Sequence, residues 1–309
     1  MTSTATVLVV GDASLDTTVL VDQVPAPDEK VLAHRLVEGV GGVAANSAIA
    51  AAVAGAPVRL ETALGQDTAA AECLRGLRAA GVDVRAEHDS DRTARALILL
   101  DGHGEKRLVL APGSQFYPSV QRCGTLRLDG VGWMHTAAYD AVAARRLVDR
   151  CRQAAIPWSV DLEPATLGNG LAVLADVLRG AAVVFCNTRA AALLGQDAAE
   201  QLTAAGAQHL VMTAGPAGAT LVTAGTSIRV EPPATAVDVV DTTGAGDCLA
   251  GSYVARTLHG DAAPDALAYA VAAASLSCAG LGAHPAYPTP TAVKARLSQP
   301  TEQRGAVGP

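Results

Sequence analysis

The sequence predicts an α/β protein: a three-layer αβα sandwich with a mainly parallel central sheet and a small β-sheet lid. From residue 131 onward, short apolar runs alternate with helical patterns, which is typical of βαβ units. Half of the 309 residues are hydrophobic, so the chain can bury a large core. Two hairpin-like pairs of segments, within 17–37 and 95–110, lie outside this alternation and predict the separate lid.

The individual elements follow from apolar periodicity and from the glycines and prolines that interrupt it. The first strand, 5–10, is an unbroken apolar run of the kind found in buried parallel strands, and it ends in Gly11 and Asp12. Further strands are predicted at 17–24, 30–37, 59–65, 95–100, 106–110, 131–135, 158–161, 181–187, 209–213, 219–223 and 227–230. Helices are predicted from Gly42 to about Gly55 and at 67–80, 141–155, 171–178, 190–195, 198–205, 248–255 and 262–279, the last being the final helix.

The predicted organisation is one domain, residues 1–298, whose lid is formed by about 13–38 and 92–111. A turn with the sequence DGHG, residues 101–104, joins the last two lid strands, because such residues favour hairpin turns. Residues 299–309 are polar and contain Gly and Pro, so we expect a flexible tail.

The charge balance and the cysteine spacing exclude several function classes. The chain has 23 basic and 30 acidic residues, a net charge of −7 and no long basic run, so we expect neither a nucleic-acid nor a membrane partner. The six cysteines form no CxxC pair and no metal-ligand spacing. The N-terminus lacks a basic region followed by an apolar core, so we expect a cytoplasmic protein.

The stretch 237–255, VDVVDTTGAGDCLAGSYVA, carries the strongest chemical signal. It predicts a strand, a glycine-rich turn and a helix, with Asp247 where the helix begins. Glycines let backbone N–H groups approach a ligand, and a helix N-terminus adds unpaired donors, so this turn suits phosphate oxygens. Asp247 is either a helix cap or a general base that accepts a proton from an attacking hydroxyl. The base is favoured, because a cap leaves the flanking glycines and the Asp-Thr-Thr run unexplained.

A second glycine-rich stretch, within 38–58, precedes an alanine-rich helix. Asn46 lies about one turn into that helix, beside Gly41 and Gly42. Its amide is placed to hydrogen-bond a hydroxylated substrate; the alternative is that the glycines serve packing and Asn46 faces solvent. Asp12 and Asp16 follow the first strand, at the sheet edge where α/β proteins bind ligands. Turn or cap roles are the alternative for these two residues.

Together the two stretches resemble the signatures of the PfkB (ribokinase-like) carbohydrate kinases. DTTGAGD followed by a helix is similar to the C-terminal signature, and GVGGVAANSAIAAAVAGA followed by LGQD is similar to the N-terminal one. The likeness runs from about residue 6 to about residue 290. It implies a ribokinase-like sandwich with a lid, and transfer of the γ-phosphoryl group of ATP to a sugar or nucleoside hydroxyl. It also implies Mg²⁺ and, as in some members, K⁺.

The resemblance implies roles for individual residues. Asp247 matches the catalytic base, and Gly244, Ala245 and Gly246 match the anion hole. The other matching positions are Asp12, Asp16, Gly41, Gly42 and Asn46 for substrate hydroxyls, Asn187, Thr213, Gly215 and Gly218 for the nucleotide, and Asp241 and Thr243, with the loop around Gly282, for a monovalent cation.

One position departs from the family pattern. Many members carry Asn-x-x-Glu where this chain has NTRA, from Asn187 to Ala190, so a glutamate that helps to organise Mg²⁺ through water is missing. Mg²⁺ keeps several waters and takes substrate phosphates as ligands, so this loss need not abolish catalysis. Asp161 and Glu163, in SVDLEP, are the candidates to replace it.

Several functions remain open from the sequence. A kinase for a ketose-type sugar is favoured, since VDVVDTTGAGD and SVDLEP resemble ketohexokinase and sulfofructose kinase relatives. Ribokinase, nucleoside kinase and a catalytically weak sugar- or nucleotide-binding regulator are the alternatives. A phosphorylated sugar is less favoured, because no Arg–Lys cluster marks a second phosphate site. Four basic residues near the lid either contact an anionic substrate or, as is favoured, form a solvated strand edge: Arg92, Arg95, Lys106 and Arg107. Exposed lid strands permit a homodimer.

Overall fold

The computed structural model describes residues 5–88, 90–102, 106–233 and 237–298, and the structural statements below concern these residues. Two sequence-based predictions lie outside them: the tail at 299–309, and the His103 and Gly104 positions of the lid turn. No helix in the described ranges combines the length and apolar character that crossing a membrane requires.

The described strands form two separate sheets. The strands are β1 (Thr6–Val10), β2 (Ser14–Leu20), β3 (Arg35–Gly41), β4 (Val58–Leu64), β5 (Val82–His88), β6 (Arg95–Leu100), β7 (Lys106–Ala111), β8 (Val131–Thr136), β9 (Trp158–Leu162), β10 (Val183–Asn187), β11 (Leu210–Thr213), β12 (Ala219–Thr223) and β13 (Thr226–Val230). Within the described residues, nine strands form the central sheet in the order β13-β12-β11-β10-β9-β8-β1-β4-β5. All its pairings are parallel except those that attach β12 and β13 at one edge.

Helices cover both faces of this sheet. They are α1 (Val43–Val53), α2 (Thr68–Ala79), α3 (Val120–Thr125), α4 (Ala141–Gln153), α5 (Ala175–Leu178), α6 (Thr188–Leu194), α7 (Ala198–Ala204), α8 (Ala245–Leu258), α9 (Ala263–Ser277) and α10 (Pro290–Leu297). Side chains of β1 alternate between two hydrophobic cores: Val7 and Val9 join one, Leu8 and Val10 the other. Burial on both faces explains its unbroken apolar run and confirms the predicted αβα sandwich.

The predicted lid is the second sheet, with the order β3-β2-β6-β7. Strand β2 pairs antiparallel with β3 and parallel with β6, and β6 forms a hairpin with β7. The bounds predicted for two lid strands, 17–24 and 30–37, were wrong, because β2 runs from Ser14 to Leu20 and β3 from Arg35 to Gly41. Pairing of β2 with β6, which lies far away in the sequence, and of β3 with β2 accompanies these bounds, which local alternation alone does not give. The single-domain assignment stays a prediction.

Other elements also differ from the sequence prediction. The strand predicted at the start of 237–255 is wrong for its described residues: the N–H groups of Val240 and Asp241 donate to the carbonyl of Cys278 at the end of α9, which replaces strand pairing. Helix α8 begins at Ala245, so Asp247 lies in its first turn and Gly244 is the N-cap. The sequence prediction missed β5, α3 and α10, so α9 is not the final helix.

Helices α1 and α8 pack unusually closely. A Cβ on Gly251, in the middle of α8, would lie 2.2 Å from the carbonyl oxygen of Ser47 and 2.8 Å from Cβ of Ala50. Only the absence of a side chain permits this approach. The contact brings the N-terminal turns of α1 and α8 side by side.

We expect Gly251→Ala to destabilise the protein and lower its activity. Alanine favours a helix interior over glycine by about 1 kcal/mol, but overpacking a core costs about 1–3 kcal/mol. The opposing atom is a backbone carbonyl, which cannot rotate away, so we expect a cost at the upper end of that range and a net loss of up to about 2 kcal/mol in the free energy of unfolding. Urea unfolding measures it. Gly168→Ala is the control, because its nearest contact is an ordinary 3.6 Å; equal stability of the two variants would contradict the prediction.

Candidate active site

The candidate site lies where the order of the central sheet reverses, between β1 and β8. Strands β4 and β5 lie on one side of β1, and β8 to β11 follow one another on the other side. The carboxyl ends of parallel strands at such a switch point form a ligand-binding crevice. Asp12 follows β1, Tyr139 follows β8 and Glu163 follows β9, so all three lie at this edge.

Asp12 is buried, and it caps helix α1. Its two carboxylate oxygens each accept a hydrogen bond of 3.0 Å, one from the N–H of Val43 and the other from that of Ala44, and its carbonyl accepts from Ala45 at 3.1 Å. Burial raises the pKa of Asp12 to about 6, although these amide donors act in the opposite direction. Its carboxylate is therefore committed to the start of α1.

Asp16, on β2 of the lid, lies over Gly41 on β3. The hydroxyl of Ser14 donates to Asp16 Oδ1 at 2.7 Å. A Cβ on Gly41 would lie 2.0 Å from the Asp16 carboxyl group, so a glycine is required there. Gly42 has φ 102° and is the N-cap of α1. Burial raises the pKa of Asp16, and the Ser14 hydroxyl partly offsets this.

Asn46 and Asp247 face each other across the α1–α8 contact. The Asn46 amide Nδ2 donates to Asp247 Oδ2 at 2.8 Å. Asn46 is 5% exposed, so the solvent-facing alternative is wrong. Its Oδ1 atom is buried and has no hydrogen-bond partner among the described residues. Asn46 therefore has an acceptor left for a ligand, while its donor orients Asp247.

The first turn of α8 is open beside Asp247. Gly244 adopts φ 74° and makes no side-chain cap, and its carbonyl accepts a 3.0 Å hydrogen bond from the hydroxyl of Tyr287. A Cβ on Gly246 would have no atom of the described structure within 4 Å. This turn therefore combines a helix N-terminus with free space, the arrangement that accepts phosphate oxygens.

Acidic side chains surround Asp247. Burial raises the pKa of Asp247 well above its usual range; the hydrogen bond from Asn46 lowers it, and the charges of Glu163, Asp12 and Asp16 raise it further. Burial likewise raises the pKa of Asp161, with Glu163 and Asp247 adding to the effect. A carboxyl group with a raised pKa beside a glycine-lined helix start suits general-base chemistry.

A cavity of about 550 Å³ adjoins the open turn of α8. Its walls include the predicted nucleotide-side residues Thr213, Gly215 and Gly218, together with Ala245 and Gly246 of the predicted anion hole. The remaining lining is largely apolar and comes mainly from α9 and from Pro232, Pro233, Val237 and Val239. Volume and lining match those of small-molecule sites in general.

Asn187 lies beside this cavity without lining it. It is paired in register with Thr213, at the carboxyl ends of β10 and β11. Its Oδ1 accepts from the N–H of Ala190 at 2.9 Å and so caps α6, and its Nδ2 donates to Glu163 Oε1 at 3.2 Å. Asn187 therefore positions Glu163, one of the two predicted substitutes for the missing glutamate.

Asp241 and Thr243, the predicted monovalent-cation residues, precede α8. Asp241 is 3% exposed, and its Oδ1 accepts from the N–H and hydroxyl of Thr243 at 2.9 and 2.6 Å. Its Oδ2 accepts from the N–H of Gly282 at 3.0 Å. The ammonium group of Lys106, on lid strand β7, lies 2.9 Å from Thr243 Oγ1 and 3.9 Å from Asp241 Oδ1.

Sequence reasoning missed Tyr139 as a site residue. Its ring packs on Phe116 with centroids 6.2 Å apart. Burial raises the pKa of its hydroxyl, and the charges of Asp12, Glu163 and Asp247 act in the same direction. The preceding Ala138 adopts φ 55°, a strained conformation that commonly marks functional sites. Its position just after β8 was the available signal.

The fold and the site together define an α/β protein with a small sheet over an acidic cleft and a cavity beside a glycine-rich helix start. A family model for "pfkB family carbohydrate kinase" matches residues 4–290. The chain therefore belongs to the PfkB family of carbohydrate kinases, as its sequence signatures predicted.

Individual relatives agree with the family. The ATP-dependent ribose-1-phosphate kinase of Halopiger xanaduensis is 30% identical over 301 residues, which cover 95% of this chain and 98% of the relative. The aminoimidazole riboside kinase of Salmonella typhimurium is 29% identical over 320 residues, covering 94% and 95%. The structure of Arabidopsis thaliana ribokinase complexed with ribose and ATP has a TM-score of 0.80 at 21% identity, covers 96% of this chain and 100% of that one, and so shows the same fold.

The family establishes the general activity. The protein is a carbohydrate or nucleoside kinase, a phosphotransferase that uses ATP and an alcohol acceptor.

We expect Asn46→Ala to move the acidic limb of the pH–rate profile to higher pH. The Asn46 amide stabilises the charged form of Asp247 and so lowers its pKa. A hydrogen bond to a charged group is worth about 1.5–3 kcal/mol, which corresponds to a shift of about 1–2 pH units. The profile of kcat measures this shift, with Ser47→Ala as the control in the same helix. A limb that stays in place, or moves to lower pH, would contradict the role given to Asn46.

Proposed function

We propose that the protein transfers the γ-phosphoryl group of ATP to a sugar hydroxyl, with Asp247 as the general base. The observation that carries the proposal is the position of Asp247: in the first turn of α8, hydrogen-bonded to Asn46 and next to the open Gly246. A hydroxyl bound near Asn46 would give its proton to the Asp247 carboxylate as it attacks phosphorus. Asp16, Gly41 and Gly42 complete the substrate side.

The first turn of α8, Gly244 to Asp247, is proposed as the anion hole. Phosphoryl transfer spreads negative charge over the equatorial oxygens, and catalysis depends mostly on positioning and electrostatic stabilisation. Backbone N–H groups and the positive end of the helix dipole supply that stabilisation here. The cavity lined by Thr213, Gly215 and Gly218 is proposed to hold the nucleotide, with its terminal phosphate reaching Gly246.

Mg²⁺ is the proposed cofactor, and Glu163 fits the role of the missing family glutamate. Glu163 follows β9, is hydrogen-bonded to Asn187, and lies among the carboxyl groups around Asp247. It would hold the ion through water, as Mg²⁺ retains several waters. The bound ion would neutralise charge on the phosphates. The hydrogen bond from Asn187 to Glu163 supports an enzyme over a catalytically weak binding protein, because it holds a carboxylate near the position of the missing glutamate.

For the acceptor we propose a class of compound and not one particular sugar. The ketose preference drawn from the sequence stays a proposal, and the named relatives favour ribose derivatives instead. A panel of ketoses, ribose, ribose 1-phosphate and nucleosides, with ADP release as the signal, separates these classes. A homodimer through the lid also stays a proposal, supported by the exposed side chains of Leu97 and Val109 on paired strands.

We expect Asp247→Asn to lower turnover by about 10²- to 10⁴-fold, the range for losing a general base. Nucleotide binding should change little, because Asp247 adjoins the cavity without lining it. ADP release and calorimetric nucleotide titration measure the two effects. Asp265→Asn is the matched control, since Asp265 lies in the first turn of α9 and is exposed. Near wild-type turnover of Asp247→Asn would contradict the role of Asp247 as the general base.

We expect Glu163→Gln to raise the Mg²⁺ concentration needed for half-maximal activity by about 10- to 100-fold, the range for outer-shell metal partners. Gln keeps the size of the side chain and its hydrogen bond with Asn187 but removes the charge. Initial rates across a Mg²⁺ series at fixed ATP provide the measurement. Glu200→Gln, exposed in the first turn of α7, is the control. An unchanged Mg²⁺ dependence would assign Glu163 to structure alone.

A further inference from the structure

The buried carboxylate of Asp241 needs a positive charge beside it. It lies in the segment that leads into the first turn of α8, where the proposed anion hole has to attract phosphate. A negative charge in this low-dielectric surrounding opposes the positive end of the helix dipole. The amide and hydroxyl donors of Thr243 and Gly282 stabilise Asp241 but carry no net charge.

Lys106 supplies this charge from the lid. Its ammonium group donates to Thr243 Oγ1 at 2.9 Å, and the Thr243 hydroxyl in turn donates to Asp241 Oδ1 at 2.6 Å. The hydroxyl thus links the two charged groups, which are themselves 3.9 Å apart. The side chain of Lys106 is only 30% exposed, so solvent screens this pair less than a surface ion pair.

The strand register places Lys106 on the face of the lid that carries Asp16. Lys106 pairs with Leu100, which pairs with Leu20, and Leu20 shares a face of β2 with Asp16. Arg95 and Arg107 have the other parity along their strands and lie on the opposite face, because side chains alternate. Lys106 therefore lies on the Asp16 face of the lid, as does Arg35 on β3, which pairs with Leu20. The contact with Thr243 is made by Lys106.

We propose that Lys106 takes the place of a monovalent metal ion beside the α8 turn, so that this kinase works without potassium. The sequence predicted K⁺ at Asp241 and Thr243, but this donor set does not fit it. Amide and hydroxyl donors already bond both oxygens of Asp241, and the ammonium group of Lys106 would repel a second cation at Oδ1. Lys106 acts through Asp241 and Thr243, and is a positioning residue.

The position of Lys106 on β7 ties this charge to the lid. The same sheet carries Asp16, on β2, over the substrate side of the cleft. When the lid lies over the site, as it does here, the charge beside the α8 turn is in place. A lid that moved away would leave the negative charge of Asp241 without a neighbouring cation. The proposed anion hole would then attract phosphate less strongly, so ATP would react less readily while no substrate is bound.

The test compares the wild type with Lys106→Met, Lys106→Arg and the surface control Lys294→Met. Each protein is assayed at constant ionic strength in potassium, ammonium or tetramethylammonium chloride, by ADP release and by thermal melting without substrate. We expect equal wild-type rates and melting temperatures in the three salts. Lys106→Met should lose about 10- to 100-fold in rate, as outer-shell partners do. K⁺ or ammonium should partly restore that rate and raise its melting temperature.

Lys106→Arg should retain cation independence, because it keeps the charge. A wild-type rate that rises several-fold with K⁺ would overturn the proposal. So would a Lys106→Met protein that matches Lys294→Met in every salt. The rate comparison rests on the proposed function, whereas the melting comparison does not. If no protein releases ADP with any sugar, the proposed function fails, and the melting temperatures still decide the role of Lys106.

Discussion

The close contact between helices α1 and α8 determines most of what the site can do. Helices usually pack with their axes about 8–10 Å apart, and side chains fill the space between them. Here Gly251 lets the backbone of Ser47 approach directly, and the small buried residues along α1 leave room for this contact. Because α1 carries Asn46 and α8 carries Asp247, this packing also fixes their 2.8 Å hydrogen bond. The small side chains of the core, only 3% of the sequence being aromatic, thus serve the geometry of the site.

The second constraint is electrostatic. Carboxyl groups that follow β1 and β9, lie on β2 and β9, or belong to α8 converge on one cleft. Burial raises the pKa of each of them: Asp12, Asp16, Asp161, Glu163 and Asp247. ATP brings further negative charge to a chain whose net charge is already −7. Such a cleft favours binding only if cations come with the ligand or from the protein. Mg²⁺ would arrive with the nucleotide, and Lys106 brings a positive charge to the α8 turn from the lid.

The sequence predicted the parts of this site that depend on local pattern. The glycine-rich turn before Asp247, the helix that carries Asn46 and the lid hairpin all follow from residues close together in the chain. The contacts that it missed span long separations: Asn187 to Glu163 is 24 residues, and Lys106 to Thr243 is 137. Parallel pairing of β9 with β10 creates the first contact, and the lid register creates the second. Neither contact produces a pattern in the local sequence. The 237–241 segment, in contrast, has a strand-like pattern but pairs with none of the described strands.

The two glycine-rich helix starts are not equivalent, and the difference decides which one can receive phosphate. At α1 the N–H groups of Val43, Ala44 and Ala45 are all taken by Asp12, which also places a negative charge at the positive end of the helix. A second anion there would meet a carboxylate instead of free donors. At α8 no side chain caps the N-terminus, and the space beside Gly246 is open within the described structure. This difference supports the proposed arrangement, in which the acceptor hydroxyl lies at α1 and the phosphoryl group at α8, with Asp247 and Asn46 between them.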